Sequence, residues 1–364
     1  MAWDHNGDVI GGTGAPVQGA APHAQPPQRP LKLSFTGSGS EYFRIWIVNT
    51  LLTIVTLGIY SAWAKVRTLQ YFYRNTRLDD AAFDYHGKPS AILKGRAIVF
   101  GLALAVQFSG FIDPLVPLVF TVIFAAVWPY LLVRSLRFRM ANSSYRGLRF
   151  AFTGGDAEAY KVFLMWPILA GLTLGLLTPL AHQRFKQYQH NHTRFGTAPF
   201  AFDATAGDFY SVYLRTALVT VVFLIGGAVL GVLMALFVSG VSMPAIVLPI
   251  TVISTYFGML LTTPYFMARL QNTVWNHTTL APHRFHSNVS PGRLLAILVT
   301  NWIGIVLTLG LFMPFAKVRS ARYRVESVTM LASGPLDAFV AGEAQQVGAL
   351  GDAAVDWYDI DIAL

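Results

Sequence analysis

Three Arg–Tyr pairs stand at one spacing in this chain: Arg67 and Tyr71, Arg184 and Tyr188, Arg319 and Tyr323. An i, i+4 separation puts both side chains on one face of a helix. A guanidinium beside a phenol can grip a phosphate through charge and hydrogen bonds, or line a path for an anion. The same pair also makes an interfacial anchor, with Arg snorkelling to headgroups and Tyr seated in the aromatic belt. Each pair ends a longer motif, T-L-G-[IL]-x-x-[AP]-x-A-[KH]-x-R-x-x-x-Y, which begins at Thr56, Thr173 and Thr308, at offsets of 117 and 135 residues. Tyr130/Arg134 and Tyr265/Arg269 reverse the order and fit the same anchoring role.

Two further polar residues, Asn49 and Asn301, lie inside apolar runs at matching positions, where Trp166 stands in the second copy. A polar side chain at membrane depth either finds a neighbouring helix or contacts a substrate. Asp113 precedes Pro114 and reads as a turn residue. His182, His190, His192, His277, His283 and His286 crowd the later loops, but carboxylate partners are few and the pattern is poor in metal ligands. There is no cysteine, which excludes disulfides and thiolate chemistry. Gly37-x-Gly39 lacks the rest of a dinucleotide fingerprint. Asn142-Ser143-Ser144, Asn191-His192-Thr193 and Asn276-His277-Thr278 match a glycosylation sequon, a weak signal. No nucleophile–base constellation emerges. The residues therefore point to no catalytic role, no cofactor and no metal.

The elements that must position these residues are membrane helices. Of 364 residues, 54% are hydrophobic and 12% charged, with mean hydropathy +0.48, whereas soluble domains carry about 25% charged residues. The formal charge of +9 reads as juxtamembrane charge facing anionic headgroups rather than as a nucleic-acid surface. Residues 1–30 are rich in Gly, Pro, Ala and Gln and read as a disordered tail with no signal peptide. Residues 31–364 form the membrane domain. In it, units A1 (31–90), A2 (148–204) and A3 (283–330) alternate with hairpins B1 (91–147) and B2 (205–282). An acidic segment, 331–364, follows; its alternation over 355–362 suggests a strand that docks near the basic segments. Each A unit reads as a short strand, a cap, an apolar helix, a Gly break and a basic amphipathic helix. Each B unit reads as two apolar helices around a tight turn. The expected fold is an all-α polytopic membrane protein with A-B-A-B-A repeats, about seven hydrophobic helices, and short strands forming a small membrane-proximal sheet.

Charge sets the topology only softly. Neither B tip, near Asp113 or Gly240, carries a basic residue, which favours both tips outside. If A helices also cross, there are seven spans, with the C-terminus cytoplasmic and the second tip turned inward. The rival arrangement keeps all basic segments inside, with four crossings and re-entrant A helices.

Phe35-Thr36-Gly37-Ser38-Gly39, Tyr42-Phe43-Arg44-Ile45-Trp46, Asn49 and the run Thr56–Arg67 resemble the YjgN-like family of bacterial multi-pass inner-membrane proteins, built around a domain of unknown function. The resemblance spans roughly residues 31–364. Ala62 stands where the family pattern has Pro. The resemblance implies an inner-membrane location and no catalytic residues. Two functions are expected: passage of a solute, ion or lipid, or a structural module that binds lipid headgroups. The bilayer and its anionic headgroups are the expected partners; self-association is not specified. A polar cavity reaching the bilayer midplane would favour passage. A sealed apolar bundle with a basic rim would favour the module.

Overall fold

The computed structural model describes residues 29–109, 111, 115–238 and 240–334. The tail before residue 29, Asp113 and the acidic segment after residue 334 lie outside the described residues. The expected small sheet is corrected: ten antiparallel strands close into a barrel. The strands are β1 (Arg29–Phe35), β2 (Thr76–Leu78), β3 (Ala81–Tyr85), β4 (Ser143–Tyr145), β5 (Leu148–Phe152), β6 (Thr193–Phe195), β7 (Ala198–Phe202), β8 (Thr278–Leu280), β9 (His283–Ser287) and β10 (Val328–Ala332). They follow one another around the barrel in chain order, and β1 closes the ring between β2 and β10. Closure leaves no sheet edge unpaired.

At one rim the strands join through tight turns. Asp79 and Asp80, Arg146 and Gly147, Gly196, and Ala281 all have positive φ there. Such turns match the twist of paired strands. Asp79 also accepts from Arg29 at 3.2 Å and from Arg146, in the next turn, at 2.7 Å.

At the other rim β1, β3, β5, β7 and β9 each lead into a pair of helices that returns to the next strand. The pairs are α1 (Gly39–Val55) with α2 (Ser61–Asn75), and α3 (Pro89–Ser109) with α4 (Val116–Ala141). The third pair is α5 (Asp156–Tyr160), a π-helical stretch (Lys161–Met165) and α6 (Trp166–Leu172), followed by α7 (Thr178–Asn191). Then come α8 (Ala206–Phe237) with α9 (Met243–Asn276), and α10 (Pro291–Leu307) with α11 (Met313–Glu326). Capping boxes open α1 through Ser38 and Glu41, and α8 through Thr205 and Asp208. Each returning helix ends on a hydroxyl that donates to the carbonyl four residues back. Thr76, Ser143, Thr193, Thr278 and Ser327 do so at 2.6–2.9 Å, at all five helix-to-strand junctions. Three of these residues belong to the sequon matches, which therefore mark junctions.

Seven crossings are also corrected. Among the described residues only α3, α4, α8 and α9 are long and apolar enough to cross a membrane. Hydropathy read Ile45–Trp63 as one helix because the residues at its break, Leu57, Ile59 and Tyr60, are themselves apolar. The chain in fact reverses at Leu57–Gly58 and comes back to the barrel, and it does the same at Leu174–Gly175 and Leu309–Gly310. The basic amphipathic helix is the return arm. In the longest pair, Gly227 and Gly231 lie against Ser254 and Val247, and Ser254 donates to Phe223 O at 2.8 Å. Small residues in this pattern let membrane helices approach closely.

Gly37, Gly87 and Gly154, each two residues past a strand, have no room for a side chain. A Cβ on Gly154 would lie 2.5 Å from the Phe152 ring and the Tyr188 hydroxyl, whereas one on Gly155 meets nothing within 4 Å. Gly154→Ala is predicted to lower stability by about 1–3 kcal/mol, the usual cost of overpacking, and Gly155→Ala by much less. Thermal unfolding of the two variants in detergent, followed by tryptophan fluorescence, checks this ordering.

Candidate functional site

The T-L-G motif is a helix-reversal device. In the first copy the Leu57 amide donates to Ile54 O and the Gly58 amide to Thr53 O, the double bond of a Schellman motif. Thr56 Oγ1 donates to Leu52 O at 2.7 Å and accepts from the Tyr60 amide at 2.9 Å, so it closes the outgoing helix and caps the returning one. Thr173 and Thr308 make the same two bonds. Leu57, Leu174 and Leu309 sit at φ 49°, 51° and 50°. Left-handed backbone strains a non-glycine residue by roughly 1–3 kcal/mol. These three leucines are also 95%, 96% and 96% exposed.

The structure brings the predicted site residues together within each short hairpin. Tyr71 donates to Ser38 O at 2.7 Å and Tyr188 to Gly155 O at 3.0 Å; the Tyr323 hydroxyl accepts from the Ser290 amide at 2.8 Å. Each tyrosine on a return arm thus ties down the N-cap residue of its outgoing helix. Asn301 donates to Ala316 O at 3.2 Å and Ser320 Oγ at 3.1 Å, and accepts from Arg319 at 2.9 Å. Asn49 makes the same latch more loosely, donating to Ala64 O at 3.5 Å and accepting from Arg67 at 3.4 Å. Arg67 also donates to the Tyr60 hydroxyl at 3.0 Å. The middle copy has Trp166 in place of Asn, and Arg184 donates to Gln187 on its own helix at 3.1 Å. In the longer pairs, the Arg134 and Arg269 guanidinium groups lie 4.9 and 5.4 Å from the centres of the Tyr130 and Tyr265 rings. The three short hairpins do not pool their Arg and Tyr at one shared centre. Each set makes its bonds within its own hairpin.

The histidines are dispersed, and among the described residues no group of three or more His, Cys, Asp or Glu could hold a metal. His190 is buried and stacked on Phe202, with Nδ1 3.3 Å from Thr278 Oγ1. Burial, with Lys186 adding, pushes its imidazole down to about 3.

Sequence reasoning missed the axial cavity. All ten strands contribute to it, and its volume is about 360 Å³. Phe83, Tyr145, Phe150, Phe195, Phe200 and Phe285 give it an aromatic wall. Neighbouring rings touch: Phe83–Tyr145 at 4.7 Å, Phe150–Phe195 at 5.0 Å and Trp275–Phe285 at 5.1 Å between centroids. Its other side is built from the last turns of the returning helices, including Tyr73, Met140, Trp275 and Arg324. Arg324 is the one formally charged residue among the described lining residues. Its Nε donates to Gln271 Oε1 at 2.8 Å, and Gln271 Nε2 donates back to Arg324 O at 3.0 Å. Alternation in the strands signals the inward positions, but only barrel closure turns them toward one space.

Two outcomes follow from this geometry. Asn301→Ala should cost about 1–3 kcal/mol, since the buried Asn301 side chain gives up its bonds to Ala316, Ser320 and Arg319. Asn49→Ala should cost less because its bonds are at the limit of hydrogen-bond distance; paired thermal melts decide. For His190, the neutral form is favoured in the fold while the unfolded imidazole titrates near 6.5. Its contribution to stability is therefore present above that pH and is lost as pH falls from about 6.5 toward 3, by about 1.4 kcal/mol at pH 5.5. His190→Asn should flatten the fall in melting temperature between pH 7.5 and 5.5.

The family profile described as "Bacterial protein of unknown function (DUF898)" matches residues 30–357. The inner membrane protein YjgN of Salmonella typhimurium LT2 is 24% identical over 339 residues, which cover 79% of this chain and 85% of that protein. The inner membrane protein YjgN of Escherichia coli K12 is 32% identical over 148 residues, 39% of this chain and 36% of that protein. No solved structure matches. These relatives and the four apolar helices make this a membrane protein. Because the match runs from β1 to beyond β10, the chain belongs to the DUF898 family.

Proposed function

We propose that this protein is a lipid-engaging module of the bacterial inner membrane. In this reading α3, α4, α8 and α9 cross the bilayer, while the three T-L-G hairpins dip into the near leaflet. The recurrence of the reversal device in those hairpins supports an internal repeat within the membrane domain 31–364. The observation that carries the reading is the near-complete exposure of Leu57, Leu174 and Leu309 at the hairpin tips. An exposed leucine at a turn is stabilised by acyl chains, and each transferred CH₂ is worth about 0.8 kcal/mol. Conduction of ions or polar solutes along the barrel axis has less support, because rings in mutual contact wall the lumen.

Charge supports the orientation. Lys32, Arg77, Arg149, Arg194 and Arg284 occupy outward strand positions, which places a basic belt around the barrel. The positive-inside rule then puts the barrel and the C-terminus in the cytoplasm, with the belt facing anionic headgroups. Arg67, Arg184 and Arg319, on the return arms, stand between that belt and the tips, where their guanidinium groups remain candidates for phosphate contact.

A single cysteine at Leu57, Leu174 or Leu309 tests this in a chain with none of its own. The thiol, labelled with a fluorophore in vesicles, is expected to be quenched by lipids carrying a spin label on the acyl chain. It should resist a membrane-impermeant maleimide added to either side. Ready labelling by that reagent, with no quenching by the lipid, would overturn the reading.

A further inference from the structure

We propose that the axial cavity is a binding site for the chain of a single-chain amphiphile with an anionic head, a fatty acid or a lipid of that form. This rests on the lipid-engaging reading and adds a specific site to it. Three observations carry it. First, the cavity of about 360 Å³ falls within the range of small-molecule sites, about 300–1,000 Å³. Second, its wall is hydrocarbon and aromatic, with Leu33, Leu78, Leu280, Val328 and Met330 filling the gaps between the rings. Such a wall accepts an alkyl chain and gives a sugar or nucleotide almost nothing to bond.

The third observation is the placement of one guanidinium in that wall. The residues three before each junction hydroxyl are Tyr73, Met140, His190, Trp275 and Arg324. Four of these line the cavity, and only the last position carries a charge. Gln271 holds the Nε edge of Arg324 and so fixes the plane of the guanidinium against the wall. A guanidinium held in a plane presents a fork that matches a carboxylate or phosphate. The Tyr73 hydroxyl, which lies 3.2 Å from Ser143 Oγ and donates to it, is a further polar group in the lining. The cavity lies where the returning helices meet the barrel. In the proposed site the acyl chain enters from the side of those helices, which lead toward the near leaflet.

The test uses the full chain in phosphatidylcholine nanodiscs with three photoreactive probes: a diazirine-bearing palmitic acid, the matching alcohol, and a lysophosphatidic acid with the diazirine in its single chain. After irradiation, labelled peptides are identified by mass spectrometry. Peptides carrying Phe195, Phe200, Trp275 or Met330 are expected to be labelled by the acid about tenfold more than by the alcohol, a ratio equivalent to about 1.4 kcal/mol. Arg324→Gln should bring acid and alcohol to near equality. Ala321→Trp, which fills the cavity, should remove the labelling; if it does not fold, the Arg324→Gln comparison stands by itself. Labelling of the lining by the lysophosphatidic acid as well identifies a single-chain phospholipid as the source, and labelling by palmitic acid alone identifies a free fatty acid. Labelling confined to α3, α4, α8 and α9, or an acid preference that survives Arg324→Gln, overturns the proposal. The depth of the leucine tips is read by quenching in a separate experiment, so failure here leaves that reading intact.

Discussion

Closure of the barrel's hydrogen-bond ladder is the constraint on which the rest depends. Of the five strands that follow a returning helix, four, β2, β4, β6 and β8, are only three residues long. Strands that short have little stability alone. They hold because each is paired on both sides and none is an edge. Antiparallel pairing in chain order also dictates that all five helix pairs leave from one rim and return to it. A helix that crossed the membrane and failed to return would deliver the next strand to the wrong side and break the ring. The helices are therefore confined to hairpins, and only hairpin length distinguishes those that cross from those that turn back.

The short hairpins keep their shape through bonds made within themselves. The reversal threonine, the tyrosine on the return arm and, in two copies, the asparagine latch all join one arm to the other or close the turn between them. Internal satisfaction is what a backbone turn needs at membrane depth, where water does not compensate a lost bond. The middle hairpin replaces the asparagine latch with Trp166 and carries the π-helical stretch Lys161–Met165 together with Pro167. Its outgoing helix is thus the most irregular of the three, and its arginine bonds to its own helix.

Much of this was legible in the sequence. The T-L-G motif located the helix breaks, and the short strand and cap that open each A unit were read ahead of them. What could not be read was the direction of the chain after each motif. Leu57 and Leu309 are as hydrophobic as the helices they separate, so hydropathy runs straight through the turn. The second strand of each unit, such as Thr76–Leu78 or Thr193–Phe195, is too short for alternation to register and was absorbed into a basic segment. Without those strands the ring cannot close on paper, so a small sheet replaced the barrel and the cavity had no walls. The tyrosines of the return arms were legible by spacing. Their bonds to Ser38, Gly155 and Ser290 were not, because those residues lie across the hairpin.

Sidedness of the barrel turns tests the account most directly. Single cysteines at Asp80 and Thr197 stand in the turns that follow the first and the second short hairpin. In oriented membrane vesicles, a membrane-impermeant maleimide should label both from the same face, because both turns belong to one rim of one barrel. Labelling of Asp80→Cys from one face and Thr197→Cys from the other would mean that the intervening helices cross an odd number of times, and the closed barrel could not exist.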